Sequence, residues 1–360
     1  MDIAIPREQR PDEFRVGLTP AGVGLLTAAG HACYVERGAG TGAGFRDDDY
    51  VSAGGRIVYS GEEAYGRGNL VVKVARPTAA ELEWIRPEQT ILAFWHLASA
   101  SPDNLEILVR RGATAVAYET IRAEDGSLPV LTPMSQIAGR MAATVAARLL
   151  QNDAGGKGIL LGRVPGVPPP NVVILGAGVV GRNAAHAFLG LGATVYVLDR
   201  VVAHLERLAE SHPGAVTMVA HDFNIEKVVR FADILVGAVL VPGERSPVLV
   251  SRELVRQMRA RSLAIDIAIN QGGCLETSRL TSHHSPTYVA EGVVHYCVPN
   301  MPGVLGRTAT HALGNATWPF IEALATMGTE RAIEALPALA WGVATRRGEV
   351  VSRALIGGGS

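Results

Sequence analysis

One stretch constrains this chain more than any other. Residues 171–181 read NVVILGAGVVG, four apolar residues followed by Gly176, Gly178 and Gly181. The apolar run reads as a strand, and the apolar residues after Gly181 read as a helix. Gly176 suits the tight turn between them. Gly178 lets the backbone approach a pyrophosphate, and Gly181 lets helix and strand pack closely. An anion is favoured over the helix N-terminus, where N–H groups and the dipole converge. A second strand, 194–198, ends at Asp199, 18 residues beyond Gly181. That offset suits the acid that accepts hydrogen bonds from an adenosine ribose. The unit therefore reads as a site for a nicotinamide dinucleotide. A carboxylate at Asp199 repels a 2′-phosphate, which selects NAD over NADP even with Arg200 beside it.

The rest of the chain repeats this alternation. Before the loop, short apolar runs at 3–5, 33–35, 70–74, 90–94 and 114–118 alternate with helical patterns, such as 19–30 with Pro20 in its first turn. After it, 202–211 reads as a helix, and 216–219, 234–237, 263–266 and 294–298 read as strands. Residues 135–150 predict a long Ala- and Leu-rich helix with Ser135 as its N-cap. The Gly- and Pro-rich stretch 155–170 predicts a loop. Two helices are expected near 308–327 and 330–335, packed back on the first domain. The fold class is α/β, with two Rossmann-like doubly wound domains, the first discontinuous, and a cleft between them. The expected division is 1–128 plus 306–360 and 129–305.

Composition narrows the partners. The 360 residues carry a net charge of −1, with no basic surplus for nucleic acid. No apolar run reaches the ~18 residues of a membrane span, and the N-terminus lacks the pattern of a signal peptide. The three cysteines, Cys33, Cys274 and Cys297, have no metal or disulfide spacing. His283 and His284 read as loop residues, and no metal is expected. A cytoplasmic protein is the reading that fits.

Several further motifs are specific. They are EFRVGLTPAGV at 13–23, VVKV at 71–74, HLA at 96–98 and PMSQIAGR at 133–140. LDR follows at 198–200, GAVLVPG at 237–243, DIAINQGGC at 266–274 and VPNMPG at 298–303. With these motifs the chain resembles the alanine dehydrogenase family, related to the NAD-binding subunit of proton-translocating transhydrogenase. The resemblance runs over nearly the whole chain. It implies NAD-linked, reversible conversion of L-alanine to pyruvate and ammonia, in a homo-oligomer, commonly a hexamer.

The same resemblance implies the site. Arg15 would clamp the substrate carboxylate, as a guanidinium does bidentately. Lys73, a costly charge inside an apolar run, would polarise the keto oxygen. His96, just after the run 91–95, would exchange protons, as histidine does near neutral pH. Cofactor contacts would come from Ser135, Gly176, Gly178, Val179, Val180, Gly181, Asp199, Val239 and Leu240. Ile267, Ala268, Ile269, Val298, Asn300 and Met301 would line the nicotinamide side. One position departs from the family. Asn270 stands where the family carries a catalytic aspartate, and asparagine cannot take up a proton. Arg76 also replaces an acidic residue common there. An imine reductase or another C–N oxidoreductase is therefore the alternative activity. An NAD-binding module without turnover is the non-enzymatic one.

Overall fold

A computed structural model describes residues 1–97, 102–239 and 245–352. Its strands, in chain order, begin with β1 (Asp2–Ile5), β2 (Ala32–Glu36), β3 (Arg56–Val58), β4 (Leu70–Ala75), β5 (Thr90–Phe94) and β6 (Thr114–Ala117). Next come β7 (Asn171–Leu175), β8 (Thr194–Asp199), β9 (Val216–Val219), β10 (Ile234–Gly237) and β11 (Leu263–Asp266). The last are β12 (Thr287–Ala290), β13 (Val293–Tyr296), β14 (Val343–Arg346) and β15 (Glu349–Val350). The chain forms two compact units, one of Met1–Met134 with the chain from Pro302 onward, the other Ser135–Met301. These limits lie six residues after and four residues before the expected ones. At the first limit, Arg15 Nη1 donates to Met134 Sδ at 3.1 Å, which ties Met134 to the first unit.

In the first unit the sheet order is β15-β14-β6-β5-β4-β1-β2-β3. β1 to β6 are parallel. The chain runs outward from β1 through β2 to β3. It then returns to the other side of β1 and runs through β4 and β5 to β6. Between β1 and β4 the order reverses, which is where open parallel sheets bind ligands, at the carboxyl ends of the strands. β4 and β5 are buried along their whole length. That matches the near-continuous apolar runs of strands covered on both faces.

The expected helix at 19–30 is Pro20–Ala28, with Thr19 Oγ1 accepting from the Gly22 N–H at 3.2 Å. The chain end differs from expectation. After the helices Gly306–Met327 and Thr329–Ala335 comes a third, Pro337–Gly342, and then β14, antiparallel to β6. β14 turns into β15 through Arg347 and Gly348, both at positive φ (52° and 80°). Two such residues make the tight turn whose twist matches a hairpin.

In the second unit the order is β12-β13-β11-β10-β7-β8-β9, reversing between β7 and β10. All neighbours are parallel except the β12–β13 hairpin. Apolar clusters cover both faces of the sheet, one around Phe188 and Leu208, the other around Val229 and Val255. The long helix is Leu131–Leu149, so it starts four residues earlier than expected. Ser135 is inside it and does not cap it. Pro133 sits in its first turn, where a missing N–H costs no intrahelical bond. Among the described residues no helix is long and apolar enough to cross a membrane.

Candidate functional site

The β1/β4 reversal in the first unit collects charge that an apolar sheet tolerates only in pairs. Lys73, on β4, is fully buried. Its ammonium donates to Glu81 Oε1 at 2.6 Å and lies 3.2 Å from Glu8 Oε2. Burial pushes the lysine pKa down, but Glu8 and Glu81 outweigh it and hold it above its ordinary value. Burial raises the Glu8 carboxyl against the pull of Lys73. Glu8 also accepts the Val74 N–H at 2.7 Å, and Glu81 closes a capping box with Thr78. Removing Lys73 would leave the two buried carboxylates without their cation, at a cost of about 3–5 kcal/mol.

Arg15 follows β1 and is also buried. Its Nε and Nη2 donate to the two oxygens of Glu13 at 2.6 and 2.5 Å. The segment is tied down by Phe14 N–H to Gly303 O (3.0 Å) and Val16 N–H to Thr310 Oγ1 (3.1 Å). The returning C-terminal part of the chain therefore helps to build the Arg15 loop.

His96 stands just after β5, exposed, with φ +44°. That left-handed conformation costs a residue with a β-carbon roughly 1–2 kcal/mol. Phe94 links it to Arg15. The His96 ring stacks on Phe94 (5.9 Å, 12°), and the Arg15 guanidinium carbon lies 6.0 Å from the Phe94 centroid. The structure thus brings Arg15 and His96 together around one ring.

The second unit presents the dinucleotide loop. Gly176 has φ +105°, and a β-carbon there would lie 2.6 Å from the Ala238 carbonyl oxygen. At Gly181 a β-carbon would lie 1.8 Å from the Gly176 carbonyl oxygen. At Gly178 it would meet nothing within 4 Å, which leaves room for a bound group. Gly178 is the N-cap of the helix Val179–Gly190, and no side chain caps that end. The loop thus fits a pyrophosphate. Asp199, at the end of β8, accepts the Ala177 N–H at 2.7 Å and the Val201 N–H at 2.8 Å. Its carboxylate is held at the loop, with lone pairs left for ribose hydroxyls.

The other expected cofactor residues follow the carboxyl ends of the neighbouring strands. Leu175, Gly237 and Asp266 lie side by side in register. Val239 therefore follows β10, and Ile267, Ala268, Ile269 and Asn270 follow β11. Val298, Asn300 and Met301 follow β13. Leu240 lies outside the described residues. Ser135 is on the helix Leu131–Leu149. Asp266 is buried and engaged. It accepts from Ala268, Cys274 and Leu275 N–H and from Ser278 Oγ. Burial raises its pKa against those bonds. It folds the loop that carries Asn270. Asn270 itself is exposed on the short helical turn Ile267–Gln271.

Sequence reading missed the partner carboxylates Glu8, Glu13, Glu81 and Glu119. A lysine inside an apolar strand requires counter-ions, and Thr78-x-x-Glu81 is a capping-box signature. Those two signals pointed to Glu81. Glu8 is 65 positions from Lys73 and had no local signal.

The chain and its geometry have counterparts among known proteins. The family described as "Alanine dehydrogenase/PNT, N-terminal domain" matches residues 4–138, and "Alanine dehydrogenase/PNT, C-terminal domain" matches 142–353. The chain is 45% identical to a protein of Halomonas elongata named alanine dehydrogenase, over 99% of this chain and 96% of that one. A solved structure titled L-alanine dehydrogenase is 47% identical with a TM-score of 0.94, covering 99% of this chain and 98% of its own. A transhydrogenase structure from Sinorhizobium meliloti shares the fold at 24% identity and a TM-score of 0.84, covering 98% and 100%.

Proposed function

The chain belongs to the alanine dehydrogenase/PNT family, and from that premise we propose that it is an NAD-dependent dehydrogenase interconverting L-alanine with pyruvate and ammonia. The observation that carries this reading is the grouping of Arg15, Lys73 and His96 after β1, on β4 and after β5 of one sheet, beside its order reversal.

When bound, NAD supplies the acceptor for the hydride that leaves the substrate Cα. Gly176, Gly178, Val179, Val180 and Gly181 would hold its pyrophosphate, and Asp199 its adenosine ribose. Ser135 and Val239 would make further contacts to the cofactor, and Ile267, Ala268, Ile269, Val298, Asn300 and Met301 would border the nicotinamide. Arg15 pairs with the substrate carboxylate, its fork oriented by Glu13. Loss of hydride turns the amine into an imine. His96 takes a proton from the water that adds to the imine carbon and returns it to the nitrogen, so the tetrahedral product expels ammonia as its hydroxyl gives up a proton to become the keto group. Lys73, kept charged by Glu8 and Glu81, donates to the oxygen that becomes the keto group. An assembly of identical subunits in the cytoplasm belongs to the same proposal.

NADH absorbance tests the reading. The purified protein should form NADH from L-alanine and NAD, and consume NADH with pyruvate and ammonia. Turnover of no small amino acid would reject it.

Asn270 favours a second reading, a related C–N oxidoreductase acting on another amine. Here Asn270→Asp is informative. If alanine is the substrate, restoring an acid should raise alanine turnover about tenfold or more. An unchanged or lower alanine rate, beside faster turnover of another amine by the unaltered protein, would favour the second reading.

A further inference from the structure

His96 holds a left-handed backbone (φ +44°), which is uncommon for a residue with a β-carbon although histidine tolerates it better than most. Something must hold it there, and the structure offers an anion on one side and a cation on the other. Glu119 follows β6. Its carboxylate accepts the His96 N–H at 2.5 Å and the Trp95 N–H at 3.2 Å. Arg76 follows β4. Its Nη1 donates to the Trp95 carbonyl at 3.3 Å and to the His96 carbonyl at 3.4 Å. The peptide between Trp95 and His96 thus has a carboxylate at its N–H end and a guanidinium at its carbonyl end, in the sense that its dipole prefers.

Arg76 is itself anchored. Arg10 Nε donates to the Arg76 carbonyl at 2.8 Å, and Arg10 Nη2 to the Pro77 carbonyl at 3.5 Å. Arg76 Nε is buried without a hydrogen-bond partner. Here the side chain leaves Nε unbonded while Nη1 reaches two carbonyls.

We infer that Arg76 is a positioning residue, which with Glu119 fixes the His96 backbone in its left-handed turn and so aims the imidazole. This rests on the reading of His96 as the proton-exchanging group. The chemistry tolerates little error in that aim, since a displacement of about 1 Å can cost roughly 10²-fold in rate.

The test combines a structure with kinetics. Crystal structures of the full-length protein and of Arg76→Ala should show residue 96 leaving positive φ and its ring leaving Phe94. Turnover of Arg76→Ala should fall about 10- to 100-fold, with KM for the amino acid and for NAD within about threefold. Arg76→Lys keeps a donor and should recover part of the loss. An unmoved His96 in the Arg76→Ala crystal would overturn the inference. So would a KM for the amino acid raised tenfold at unchanged kcat, which would make Arg76 a substrate ligand. Unfolding of Arg76→Ala would move the same measurements to Glu119→Gln, which weakens the other half of the clamp. There too, a displaced residue 96 with lowered kcat would support the inference, and an unmoved one would overturn it. Full turnover by His96→Asn would remove the assigned role of His96, while the crystal structures would still decide whether Arg76 holds its backbone.

Discussion

His96→Asn should lower turnover of alanine by roughly 10²–10⁴-fold and leave NADH affinity unchanged. Asparagine is the replacement that isolates the chemistry. It tolerates the positive φ of position 96 better than most residues, so the backbone held by Glu119 and Arg76 need not change. It keeps a hydrogen-bonding side chain and loses the titrating one. The cofactor loop belongs to the other unit, so NADH titration by fluorescence should give the same Kd as the unaltered protein. A loss below threefold would show that the proton is carried by another group. Exposed as it is, His96 should contribute little to stability, and the melting temperature should hold.

Gly181→Ala should have the opposite profile, with cofactor binding and stability lost together. The new β-carbon would sit 1.8 Å from the Gly176 carbonyl oxygen, far inside contact distance. Neither partner is a flexible side chain. The start of the helix Val179–Gly190 must move away from β7, or Gly176 must leave its turn. Gly176 is itself confined by the Ala238 carbonyl. Forced repacking of this kind costs about 3 kcal/mol or more. It also displaces the N–H groups that face the pyrophosphate. We expect no NADH binding at micromolar concentrations and a midpoint of urea unfolding clearly below that of the unaltered protein. Gly178→Ala is the useful contrast, because a β-carbon there meets no protein atom. It should fold normally and weaken only cofactor binding. Equal stability of the Gly181 variant would show that helix and strand can separate at no cost.

The features legible in the sequence are those whose physics is local. The turn at Gly176 and Gly181, the apolar parallel strands and the Asp199 offset each depend on neighbours in the chain. Strand positions were accordingly read within a residue or two, as at β5, β9, β10 and β11. Lys73 was conspicuous because charge is costly in an apolar run. Its counter-ions were not, since Glu8 reaches it only after β1 and β4 become neighbours. Arg15 was singled out, but Glu13, two positions away, was passed over because nothing in the sequence tells a paired carboxylate from a solvated one. The start of the helix Leu131–Leu149 was misplaced because Ser135 resembles a cap and Pro133 resembles a stop, although the first helical turn tolerates proline. β3, β12, β14 and β15 went unread: β3 and β15 have three and two residues, and β12 and β14, TYVA and VATR, mix polar with apolar residues without a continuous apolar run. Arg76 and Glu119 could not be joined to His96, because their bonds go to its backbone and not to its side chain.

Hydride transfer itself can be followed by isotope. L-alanine carrying deuterium at Cα is incubated with the protein and NAD, and the NADH formed is weighed by mass spectrometry. The NADH should be heavier by one mass unit and form in step with pyruvate, because the hydride passes from Cα to the cofactor without exchange with water. NADH without deuterium, or tight NADH binding with no pyruvate formed, would contradict the proposed reaction.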